Sequence, residues 1–210
     1  TGAHVHIAHI STAGAVRVVK EAKARGIRVT AEVTPHHLLL TEEAVRGYDP
    51  NTKMNPPLRT KRDQEALLEA LADGTIDCIA TDHAPHALSE KEGDFDGAAA
   101  GIVGLETAAS VLLDRLVRPG LLSLKILVER LTAGPARVLN LPGGSLAPGV
   151  DADVTVLDPA RELTIDPSGF HSKSRNTPFG GWRVTGMPWM TLIGGRVAMW
   201  ERVIKGGIHR

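Results

Sequence analysis

Three short apolar runs, each followed in turn by a helical pattern, constrain this chain more than any other feature. "HVHIAH" (residues 4–9), "IRVTAEV" (27–33) and "IDCIAT" (76–81) read as strands, the last with the apolar density of one buried on both faces. After the first, Ser11 or Thr12 caps the helical run "AGAVRVVKEAKARG", closed by Gly26. "RDQEALLEALADG" places Leu67, Leu68 and Leu71 at helical spacing before Gly74, and "LETAASVLLDRLV" reads as the helix after the third strand. This alternation predicts right-handed βαβ units and a parallel sheet, with functional residues at the C-terminal strand ends. Three such units are too few to close a barrel, which needs eight strands.

Between these elements lie two long connections. Residues 34–61 show little periodicity and carry the Pro56-Pro57 pair, and residues 83–103 are rich in glycine and acid. Two shorter helices fit within 123–131 and 133–140. From Gly143 the pattern changes to short β runs punctuated by glycine and proline ("GSLAPGVDADVTVLD", "ARELTI", "WRVTG", "MTLIGGRVAMW"), an all-β appendage. The expected division is therefore 1–142 and 143–210.

Charge narrows the function classes. Lys+Arg and Asp+Glu are equal at 24 each, so the formal net charge is zero and nothing favours a nucleic-acid partner. No apolar run approaches the ~20 residues of a membrane span, and no signal peptide is visible. The one cysteine, Cys78, excludes an internal disulfide framework and fits a reducing, cytoplasmic setting. The chain opens at Thr1 directly into "GAHVHIAH", which reads as the interior of a longer protein.

The third strand ends in "CIATDHAPH", which delivers Asp82, His83 and His86 to one loop mouth. A strand-terminal aspartate is also a common turn former or helix cap, so spacing alone leaves its role open. By alternation, Val5, Ile7 and His9 share one face of the first strand, and His4 and His6 the other.

In order and approximate spacing, "HIAHIST", "VTAEVTPHHLLLTEE", "KMNPPLR", "DGTIDCIATDHAPH", "GIVGLETA" and "SKSRNTPFGGWRVTG" resemble the dihydroorotases of bacterial type, in the amidohydrolase superfamily. The resemblance runs through nearly the whole chain. It implies an α/β fold, the C-terminal part of a (β/α)8 TIM barrel with a small β-sandwich appendage, and a two-zinc site. His9 and Asp82 match zinc ligands. Asp82 also matches the group that serves as general base and then as acid, a role a carboxylate beside a metal-activated water can fill. Asn55 and His86 match substrate-binding residues, and the backbone around Ala100 and Gly101 would touch the ring amide. Ala99 and Ala100 depart from the family pattern, which usually shows proline and a large residue there. The family's first-strand His-x-His pair, its bridging acid and its fifth-strand histidine have no counterpart and are expected before Thr1.

The same resemblance implies reversible hydrolysis of L-dihydroorotate to N-carbamoyl-L-aspartate in pyrimidine synthesis. It also implies a homodimer, with aspartate transcarbamoylase as a further partner. The isolated chain, with two of the expected ligands, is expected to be inactive. The alternatives are another cyclic amidohydrolase (a hydantoinase or allantoinase) and an inactive homologue that scaffolds aspartate transcarbamoylase.

Other polar residues read as structural. His4-x-His6 imitates a metal-binding pair, but its place in "HVHIAHIST" makes it helix-facing or subunit-facing. Adjacent residues on a strand end point apart, so His36 and His37 read as hydrogen-bonded support. His83 and Arg59 read as structural, and Cys78 as a small core residue.

Overall fold

Strand β1 (Val5–Ile7) runs into a helix that Thr12 starts: its backbone is extended and its hydroxyl accepts from Ala15 N at 3.0 Å. Helix α1 (Ala13–Ala24) ends at Arg25, and Gly26 takes the left-handed conformation, φ 74°, that turns the chain back. Strand β2 (Val29–Val33) follows, parallel to β1 with Val5 opposite Val29 and Ile7 opposite Ala31. The computed structural model describes residues 2–205.

The connection after β2 is more ordered than its composition predicts. Thr34 caps a short helix α2 (Pro35–Leu39), with proline at the first position where no N–H is needed, and two 3₁₀ turns follow at Glu42–Val45 and Pro50–Thr52. Helix α3 (Lys61–Asp73) opens with a reciprocal cap between Thr60 and Asp63, and Asp63 also accepts from Ala13 N at 2.8 Å, tying the starts of α1 and α3. The Thr60 hydroxyl, then the Ala13 amide, hold the Asp63 carboxyl below its ordinary range, and the charge of exposed Arg59 adds to this.

Strand β3 (Cys78–Ile79) pairs parallel with β2, Glu32 opposite Cys78, giving the order β1-β2-β3. At its entry Asp77 accepts from Ala31 N at 2.8 Å and from Lys23 Nζ at 2.8 Å, joining two strands and a helix end. Ala31, Val33, Leu67 and Leu71 are almost wholly buried. Each of the two leucines contributes roughly 1.5–3 kcal/mol by leaving water.

After β3 come α4 (Leu88–Lys91) and α5 (Ala108–Leu112), which runs on into a π-helical turn at Leu113–Val117. Helices α6 (Leu124–Leu131) and α7 (Ala133–Leu139) follow, started by Ser123 and ended by Asn140 in the left-handed conformation. Strands β4 (Val154–Thr164), β5 (Arg183–Ile193), β6 (Arg196–Trp200) and β7 (Val203–Ile204) form one antiparallel sheet in chain order. Among the described residues these four strands form a single sheet.

Packing divides the chain differently from a boundary at Gly143. One compact unit holds the residues up to Ala108 together with Ile165–Trp182; the other holds Ala109–Thr164 and the chain from Arg183. The returning segment explains the first grouping. Ile165 N donates to Trp182 O, Val103 N donates to Asn176 O, and Phe179 is 1% exposed against Trp182, ring centroids 5.0 Å apart. In the second unit the π turn reaches β5 at Gly186, where a Cβ would lie 2.8 Å from Leu113 Cβ and φ is 105°. Only glycine fits that approach.

Candidate active site

The C-terminal ends of the three parallel strands put different chemistry at one edge. Ala8 ends the extended run after β1, and His9 takes a left-handed φ of 51°. Asp82, beyond β3, does the same at φ 47°. Aspartate and histidine are among the side chains that tolerate this region, and such strain gathers at functional sites at a cost of about 1–3 kcal/mol each. The two turns bring His9 Nε2 to 3.5 Å from Asp82 Oδ1. The pair predicted as metal ligands therefore converges.

The bend at His9 corrects the face assignment made from alternation. His9 does not stay with Val5 and Ile7. Its Nδ1 lies 2.8 Å from Glu32 Oε1, while His6 Nε2 meets the other oxygen of the same carboxylate at 3.1 Å. His6 thus stands on the sheet face of Glu32, opposite buried Ala31 and Val33, and is not helix-facing. His4 and His6 both meet the Thr30 hydroxyl, at 3.0 and 2.8 Å. Glu32 was not singled out from sequence. Its signal was a lone carboxylate inside the apolar strand "VTAEV", a position that requires partners.

His36 and His37 lie on α2 and not on a strand end, so their rings face each other, centroids 4.5 Å apart at 52°. His37 is the supporting residue. Its Nε2 donates to Pro56 O at 2.9 Å and its Nδ1 accepts from the Thr34 hydroxyl at 2.7 Å, which fixes a neutral tautomer. Burial lowers its pKa, and the Pro56 carbonyl offsets part of that. His36 departs from the expectation of hydrogen-bonded support: its buried Nε2 has no hydrogen-bond partner among the described residues. Burial first, then the neighbouring His37 and His9, hold its pKa well below the usual value.

These depressions predict acid lability with a definite sign. Both rings fold neutral and titrate near 6.5 once unfolded, so the unfolded state binds the extra protons as pH falls through that value. Their stabilisation is complete above about 6.5 and is lost on acidification, by at most ~1.4 kcal/mol per pH unit for each ring. Urea titrations at a series of pH values should show a shallower slope below 6.5 for His36→Gln than for the parent; equal slopes would remove His36 as a source.

The loops beyond the strand ends are pinned to one another. His86 Nε2 donates to Ala100 O at 3.0 Å, and Gly101 N donates to Lys53 O at 2.8 Å. A Cβ on Gly101 would fall 2.7 Å from Ala84 Cβ, at φ 117°, so this close approach excludes other residues. Buried Asn176, a second residue not singled out from sequence, donates to Ala84 O at 3.0 Å and Gly101 O at 3.1 Å and accepts from His86 N at 3.3 Å. It lies in the quoted "SKSRNTPFGGW". His83 Nδ1 accepts from Gly104 N at 3.1 Å, an anchoring contact. Asn55 stands exposed beside Pro56, and among the described residues no hydrogen bond joins it to His9, Asp82 or His86. The His37 bond to Pro56 is what holds its segment near the strand ends.

Residues 2–198 match the amidohydrolase family, and the chain belongs to it. It is 57% identical over 205 residues to a dihydroorotase of Pelotomaculum thermopropionicum, covering 98% of this chain and 48% of that protein. It is 60% identical over 199 residues to a dihydroorotase of Anaeromyxobacter dehalogenans, covering 94% and 46%. Among solved structures it is similar to an L-hydantoinase (dihydropyrimidinase) from Arthrobacter aurescens, with TM-score 0.93 and 32% identity over 97% of this chain and 46% of that one. A D-hydantoinase (dihydropyrimidinase) from Thermus sp. gives TM-score 0.90 and 32% identity, covering 99% and 47%. The chain spans about half the length of the curated relatives it matches.

Proposed function

We propose that this chain is part of a dihydroorotase that interconverts L-dihydroorotate and N-carbamoyl-L-aspartate with two zinc ions, on a TIM-type barrel to which β1, β2 and β3 contribute three strands. The convergence of His9 and Asp82 at the strand ends carries the reading, because an imidazole and a carboxylate 3.5 Å apart form a donor set that suits zinc. The contact of Glu32 with His9 Nδ1 supports it, since ligating histidines are oriented by a carboxylate on their other nitrogen. Zinc, when bound, supplies a Lewis acid and lowers the pKa of water. Asp82 takes the proton of the attacking water and returns it to the ring nitrogen as the amide C–N bond breaks. His86, held by Ala100 and Asn176, orients the substrate together with Asn55. Ala100 O and Gly101 O each keep a second lone pair beyond His86 and Asn176. A homodimer, and assembly with aspartate transcarbamoylase, belong to the same reading.

The hydantoinase likenesses favour one rival, a cyclic amidohydrolase for rings without a carboxylate. Initial rates of the intact protein on L-dihydroorotate and on hydantoin separate the two. A charged contact to the substrate carboxylate is worth ~1.5–3 kcal/mol, so kcat/KM should favour dihydroorotate by about 10–100-fold or more. Preference for hydantoin would establish the rival.

A further inference from the structure

The geometry points to a separate cation site of mixed nitrogen, oxygen and sulfur ligands at His6, Glu32 and Cys78, on the inner face of the three-stranded sheet. It does not depend on the dihydroorotase reading. Strand register places these side chains together: His6 sits opposite Thr30, two residues before Glu32, and Glu32 sits opposite Cys78. One ligand atom from each of the three lies within 4.8 Å of the others. His6 Nε2 and Glu32 Oε2 are already 3.1 Å apart. That is close to the ~3.3 Å edge of a tetrahedron built on metal–ligand bonds of about 2.0–2.1 Å, and side-chain rotation of Cys78 brings in the longer ~2.3 Å bond to sulfur.

The surroundings of His6 fit a ligand. Thr30 Oγ1 lies 2.8 Å from Nδ1, so when a metal displaces the Nε2–H that donates to Glu32, the ring proton sits on Nδ1 and donates to the hydroxyl, leaving the Nε2 lone pair for the metal. Glu32 divides its carboxylate: Oε1 lies against His9, and Oε2 points to His6. A cation on Oε2 therefore leaves the support of His9 in place. A carboxylate and a thiolate neutralise a dication, with the proton of Cys78 released on binding. Sulfur with imidazole selects a borderline ion, zinc or cobalt(II), over magnesium or calcium. Fourth place on the metal is left to water. Cys78 is 3% exposed, so its reaction with solutes is slow.

Cobalt(II) titration of the metal-free intact protein tests this, because a thiolate–cobalt bond gives a charge-transfer absorption that nitrogen and oxygen ligands do not. The band should saturate at an amplitude corresponding to one thiolate-bound cobalt per chain, vanish in Cys78→Ser, weaken strongly in His6→Asn and Glu32→Gln, and persist in Asp82→Asn. Circular dichroism of each variant separates ligand loss from unfolding, and Cys78→Ala takes the place of Cys78→Ser if the serine variant does not fold. A folded wild type with no thiolate band at saturating cobalt overturns the site. So does a band that survives in the folded double variant His6→Asn/Glu32→Gln. Neither result bears on turnover of dihydroorotate, which is tested separately by the rates on dihydroorotate and hydantoin.

Discussion

Asp82→Asn in the intact protein is expected to cut turnover of dihydroorotate by about 10²–10⁴-fold while substrate still binds. Asparagine keeps the shape and one oxygen but can neither accept the proton of the attacking water nor hand it to the leaving nitrogen. Two effects must be told apart. Asp82 lies 3.5 Å from His9 Nε2, so the substitution can also loosen zinc, and that loss adds to the first. Kinetics paired with elemental analysis separate them: a variant with unchanged zinc and a collapsed kcat isolates the proton transfer. Wild-type turnover at unchanged zinc content would take Asp82 out of the mechanism.

The sequence showed the strand–helix alternation and its capping well, because those signals are local. Thr12, Gly26 and Gly74 sit at the helix boundaries that capping chemistry requires. The pairing of His9 with Asp82 was also readable, through motifs at the ends of two strands. Three features were not, and each depends on something non-local. Alternation put His6 and His9 on opposite faces, and a single left-handed residue reversed that. The histidine pair after β2 looked like a strand end because the only helix signal in "TPHHLLL" is the Thr34-Pro35 start of a single turn. The return of Ile165–Trp182 to the first unit rests on contacts between residues more than 70 positions apart, such as Asn176 with Gly101. Asn176 therefore passed as one polar residue in a loop, although it holds three backbone groups at the two ends of the connection after β3.

In the second unit, Asp114→Ala should lower stability by about 2–4 kcal/mol. Asp114 is 2% exposed, on the π turn that packs against β5. Its Oδ1 accepts from Arg118 Nε at 2.9 Å and from Thr185 N at 3.1 Å, and its Oδ2 lies 3.0 Å from Arg115 Nε. The two arginines are 46% and 60% exposed, so they return to water when the carboxylate is removed and each pair contributes no more than ~1 kcal/mol. Thr185 N is the costlier partner. It is part-buried on β5, and an amide left without an acceptor there costs about 1–3 kcal/mol. Asp114→Asn keeps an acceptor for that amide and should lose only the charge, about 1 kcal/mol. For a unit of about 150–250 residues, 1 kcal/mol shifts the melting temperature by roughly 2–4 °C, so the alanine variant should melt about 5–15 °C below the parent and the asparagine variant a few degrees below. Equal losses in the two variants would assign the stabilisation to the arginine pairs and leave the Thr185 bond without a measurable share.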